Sequence, residues 1–94
     1  MSLRTLVSKY ITSAEEVLSK IERVNGPINV NAERIDDVLE YVRDYLEDAK
    51  YYKAQEKLET SLTSVAYCEG LLDTLRLLGT VKFEWPANQK KEQK

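Results

Sequence analysis

Histidine is absent from this chain, and cysteine occurs once, as Cys68. Those facts remove most catalytic designs. The commonest general base, metal ligand and near-neutral pH switch is missing. No Cys/His zinc site can be assembled, and neither a Ser-His nor a Cys-His nucleophile pair can form. No G-K-[ST] sequence or glycine-rich phosphate loop is present. Carboxylate chemistry remains. Asp44, Asp48, Glu69 and Asp73 approach one another if two antiparallel helices carry them, and facing carboxylates in helical bundles hold metal ions. Such sets usually include histidine, so an all-oxygen site for a hard ion such as magnesium is the version open here. Ion pairing is the plainer expectation, since Arg76 lies three residues from Asp73 and seven from Glu69. The chain is therefore expected to be non-catalytic and to use no cofactor. The alternative is a small-ligand or divalent-metal site between the second and third helices, built on Asp48, Glu69 and Asp73.

Six tyrosines, Tyr10, Tyr41, Tyr45, Tyr51, Tyr52 and Tyr67, suit two settings. At a bundle rim the ring packs while the hydroxyl reaches water; at an interface the same ring supplies contact area. Cys68 falls on the apolar line Val65, Cys68, Leu72, Leu75 and reads as a buried, inert thiol. A lone cysteine, with no internal disulfide possible, fits a reducing cytosol. A net charge of −2 argues against nucleic-acid binding, for which a basic face is the usual footprint. The start of the chain carries no apolar run of signal-peptide type, and no stretch approaches the ~20 apolar residues that span a bilayer. A cytoplasmic protein without membrane or nucleic-acid partners is expected.

Three helices must position these residues. The first is expected from about Ser2 to Asn25, with Leu3, Leu6, Val7, Tyr10, Ile11, Ala14, Val17, Leu18, Ile21 and Val24 on one buried stripe. Asn25-Gly26-Pro27 ends it. Asn31 caps the second, whose stripe is Ile35, Val38, Leu39, Val42, Tyr45, Leu46, Ala49 and Tyr52, with Tyr41 at the border and Tyr51 on the far side. Lys53 to Lys57 reads as a tight irregular connection, with one continuous helix as the competing reading. The third helix runs from about Glu56 or Leu58 to Leu78, capped by Gly79. Val81, Phe83 and Trp85 then alternate with polar residues in a short extended segment. The architecture predicted is an all-α, up-and-down three-helix bundle over residues 1–86, with 87–94 a flexible polar tail. A body of this length buries only roughly 60–65% of its unfolded surface, so a partner or second copy would add stability.

The third helix is the unusual one. Leu58, Leu62 and Val65 start an apolar face on which Glu69, Asp73 and Arg76 follow. Cys68, Leu71, Leu72, Leu75 and Leu78 take over the apolar role a quarter turn or more away. Ala66, Gly70 and Thr74 form a line of small residues that would admit a neighbouring helix closely. Close packing there would offset the roughly 1 kcal/mol that a mid-helix glycine costs.

Asp48-Ala49-Lys50-Tyr51-Tyr52, then Ala66-Tyr67-Cys68-Glu69-Gly70-Leu71-Leu72-Asp73, then Leu77-Leu78-Gly79 follow one another along the chain. This succession of D-A-x-x-[YF], Y-x-x-G-x-L-D and closing L-G resembles the archaeal family known as Domain of Unknown Function 357. The resemblance covers the C-terminal half strongly and the first helix in pattern only. It implies a three-helix bundle and an archaeal origin, and no activity, because the family has none assigned. Family members carry a Gly-Asp-type turn where this chain has Gln55-Glu56-Lys57, and an alanine where it has Thr74. The matching positions to watch are Tyr67, Gly70 and Asp73, with a Tyr67 hydroxyl bonded to Asp73 beside a close helix contact as the structural expectation. The leading functional expectation is a small module that binds another protein or itself through the third helix, on a surface of Tyr67, Gly70, Leu71, Asp73 and Leu78. A tetratricopeptide-like hairpin ranks last, since one hairpin is not a repeat array.

Overall fold

The structure, a computed structural model, describes residues 2–86; the polar tail expected at 87–94 lies outside the described residues. It is all-α, with α1 over Leu3–Lys20, α2 over Ala32–Ala54 and α3 over Leu58–Leu77, and no strand among the described residues. Ser2 caps α1, its hydroxyl accepting from the Thr5 amide at 3.1 Å. Asn31 caps α2 as expected, its side-chain Oδ1 accepting from the Arg34 amide at 3.0 Å. Glu33 puts negative charge in the first turn of α2, where the helix dipole favours it.

α2 and α3 pack as an antiparallel hairpin around a small core: Val42 and Ala49 from α2, Ser64, Cys68 and Leu75 from α3. Small residues set the approach near the turn, where the Ser61 hydroxyl donates to the Ala49 carbonyl at 2.6 Å. Further along, the rings of Tyr45 and Tyr67 meet edge to face at 4.4 Å between centroids. On α3 the buried line is therefore Ser64, Cys68 and Leu75, with Ser61, Leu71 and Leu72 half-buried beside it. This corrects the expectation for the first half of the helix: Leu58 and Leu62 are exposed, because the helices close on serines and alanine rather than on leucines. Gly70 is corrected too. It is exposed, and a Cβ placed there would meet nothing within 4 Å, so no neighbouring helix uses the small-residue line.

Both hairpin helices end in the same way. In α2, the Lys57 amide donates to the Tyr52 carbonyl and the Glu56 amide to the Lys53 carbonyl. In α3, the Thr80 amide donates to the Leu75 carbonyl and the Gly79 amide to the Arg76 carbonyl. These are paired Schellman caps, each needing a left-handed residue. Gly79 fills that role at φ 78°, and Glu56 fills it at φ 61°. The three-residue break between Ala54 and Leu58 settles the connection as a turn, not a continuous helix.

Beyond Gly79 the chain runs without regular structure and lies back on α3. The Thr80 hydroxyl donates to the Leu75 carbonyl at 2.8 Å. Phe83 lies under the Arg76 guanidinium, 5.6 Å from its ring centroid, and packs edge-on against Trp85.

The first helix departs most from expectation. It stops at Lys20, five residues before Asn25, and Ile21 is already extended. None of its residues is buried, and no Cα of α1 lies within 8 Å of a Cα in α2 or α3. The two observations are connected. Most helical stability in proteins comes from packing an amphipathic face. With nothing against Ile21 and Val24, these β-branched residues have no reason to stay helical.

Candidate functional site

The four carboxylates do not assemble. With Ala49 keyed to Ser61, the antiparallel register sets Asp48 about level with Leu62. That leaves it roughly 10 Å of helix axis short of Glu69 and roughly 16 Å short of Asp73. Asp44 is exposed, two residues from buried Val42 and so turned away from α3. Among the described residues no three His, Cys, Asp or Glu side chains come together in a way that could hold a metal.

Asp73 has a different role from the one expected. Its Oδ1 accepts from the Trp85 indole Nε1 at 2.8 Å and from the Arg76 Nη2 at 3.1 Å. The Trp85 hydrogen bond foremost, then the Arg76 hydrogen bond and charge, hold the Asp73 carboxyl below the ordinary aspartate range, against a smaller opposing effect of desolvation. Tyr67 is not the partner of Asp73. Six residues on a helix is well past a whole turn, which puts the two side chains on different faces. Asp73 thus fastens the terminal segment to α3, and Trp85 was the missed residue; its place in the alternating Val81, Phe83, Trp85 run was the available signal.

Cys68 sits in the hairpin core as expected. Burial pushes its thiol above the usual cysteine value, and the neighbouring Glu69 charge adds to the rise. Burial of this kind suits the thiol to packing in the hairpin core.

A groove of about 810 Å³ lies between α1 and the hairpin. Val7, Tyr10 and Ile11 of α1 form one wall, and Tyr45, Thr63 and Tyr67 of the hairpin form the other. The first wall is the apolar stripe of α1 and the second ends in the Tyr45–Tyr67 ring pair. Of the residues expected on the interaction surface, only Tyr67 belongs to this groove. Leu71 is half-buried beside the core, Gly70 is open to solvent, Asp73 lies under Trp85, and Leu78 is exposed at the α3 cap. The signal for the groove lay in the ten-residue apolar stripe of the first helix, a pattern that asks for a covering surface without naming it.

No helix among the described residues is long and apolar enough to cross a membrane. No curated protein and no solved structure matches the chain. A family model described as a protein of unknown function (DUF357) matches residues 9–81, which take in α1 from Lys9 onward, the hairpin and the Gly79 cap, and the chain belongs to that family.

Proposed function

We propose that the chain is a small, non-catalytic association module that receives a helix in the groove between α1 and the α2–α3 hairpin. The observation that carries this reading is the apolar face of α1. Leu3, Val7, Ile11, Val17 and Leu18 are all exposed, and no residue of the helix is buried. Contiguous apolar surface of this kind marks a contact site on a folded protein. An amphipathic helix laid in an apolar groove is a recurrent way of filling one. The tyrosines of the opposite wall add contact area with polar tips, a composition enriched at interfaces. The absence of histidine and the raised thiol of Cys68 support a role in binding rather than catalysis. A single buried cysteine is in keeping with a cytosolic setting.

The test compares the full chain with an Ile11→Glu variant by affinity capture and by sedimentation of the purified proteins. The wild-type chain should hold a stoichiometric partner, itself or another protein, and the variant should lose it with its helical circular dichroism unchanged. A wild-type chain that is monomeric and retains nothing refutes the reading.

A further inference from the structure

We propose that the occupant of this groove is α1 of a second copy of the chain, each copy lending its first helix to the other about a two-fold axis. The proposal rests on the association reading above and names its partner.

Surface area is the first argument. The chain exposes 8454 Å². A compact monomer of 10.9 kDa would expose roughly 5,600 Å². Counting Met1 and residues 87–94 at the full exposure of an extended chain removes about 1,600 Å². The described residues still stand roughly 1,700 Å² above a compact body of their size. Obligate homodimers bury about 2,000–5,000 Å² in total, half of it on each copy. Each copy of such a dimer thus covers about 1,000–2,500 Å², and the surplus of one chain falls inside that per-copy range.

The groove itself supplies the second argument. α1 already forms one wall, so what is missing is a body between the walls. A volume of about 810 Å³ holds about two turns of a helix ~10 Å across. On α1 the groove is lined from Leu3 to Ala14; Val17 and Leu18 continue the apolar stripe beyond it and are exposed. A helix from another molecule covers both regions at once.

Chemistry identifies that helix. Leu3, Val7, Tyr10, Ala14 and Val17 follow at alternating steps of four and three, the seam spacing by which one helix packs along another. Antiparallel pairing about an axis near Tyr10 sets the basic end of one α1, with Arg4 and Lys9, toward the end of the other where Glu15 stands beside the Glu16–Lys20 ion pair. It also opposes the helix dipoles and is the isologous contact that a two-fold dimer requires. The hairpin favours the same basic end, because residues 32–77 carry eleven acidic and six basic side chains.

Sedimentation equilibrium of the full chain from micromolar to several hundred micromolar tests this directly. A dimer is expected. Ile11→Glu should weaken it at least about a hundredfold, the effect of an unpaired charge in an apolar contact, with helical content retained. Leu77→Glu, on an exposed residue outside the groove, should leave it intact. A Tyr10→Cys variant should form a disulfide-linked dimer in air, Cys68 being buried. A dimer that survives Ile11→Glu, or a Tyr10→Cys chain that stays uncrosslinked, overturns the proposal. So does a wild-type monomer. If that monomer still retains a different protein through α1, the association reading stands and only the second copy is lost; if it retains nothing, both fall.

Discussion

Replacing Glu56 by glycine should stabilise the protein. Glu56 occupies the left-handed position of the α2 cap at φ 61°, while the matching position of α3 is Gly79 at φ 78°. The hydrogen bonds of the two caps are the same, so the comparison isolates the residue. A side chain with a Cβ costs roughly 1–2 kcal/mol in that conformation. Glycine recovers this but gives the unfolded chain more freedom, an offset of about 0.5–1 kcal/mol. A net gain of about 0.5–1 kcal/mol remains, or roughly 3–6 °C in Tm for a domain of this size. Thermal and urea unfolding followed by circular dichroism would measure it, at one fixed protein concentration so that association does not shift the midpoint. The reciprocal change, Gly79→Ala, should cost about 1–2 kcal/mol. A Glu56→Gly chain with unchanged or lower Tm would refute the reasoning, as the side chain would then contribute something that the cap geometry does not contain.

Gly70→Ala should add up to about 1 kcal/mol in the same assay, since the site is helical and a Cβ there meets open space; loss of stability would mean that a helix docks against it. Trp85 is the sole tryptophan, so its fluorescence reports on the bond to Asp73. The Asp73 carboxyl is held below its ordinary value, so the stabilisation it lends is complete above about pH 4 and is lost as pH falls through the lowered value. The emission of Trp85 should shift toward that of free indole in that acidic window, and in an Asp73→Ala chain it should be shifted already at neutral pH. Cys68 should resist thiol reagents at pH 8 and react quickly once urea unfolds the hairpin; equal rates in both states would contradict its burial.

Local chemistry was legible in the sequence, and tertiary contact was only partly so. Asn31 and Gly79 mark helix ends because their side-chain and backbone preferences act within one turn, and the structure shows both at work. The α2 stripe, with Tyr45 and Tyr52 half-buried and Tyr41 and Tyr51 outside, follows from helical period alone. Glu56 was harder to read, since a glutamate gives no hint of a left-handed cap. Leu58 and Leu62 misled because hydrophobicity predicts burial only where a partner exists, and the hairpin closes on Ser61, Ser64 and Ala49. The α1 stripe misled for the same reason: its pattern says that it needs a partner and not which molecule supplies one. Asp73 found Trp85 instead of Tyr67 because the chain beyond Gly79 turns back along α3, a path that no helical spacing encodes.

The three-residue connection between α2 and α3 has a kinetic consequence. The short turn brings α2 and α3 together from Ala49–Ser61 outward to Tyr45–Tyr67, and helical topologies of this kind fold on the microsecond-to-millisecond scale. Nothing in that step waits for α1, which is tethered by eleven residues and shares none of the hairpin core. In the proposed dimer, docking of α1 on its partner is a meeting of molecules and would run at a rate set by how many are present. Refolding of that dimer would therefore divide into a fast event indifferent to dilution and a later one that dilution slows. A newly made chain carries a finished hairpin and a bare first helix for as long as it remains alone.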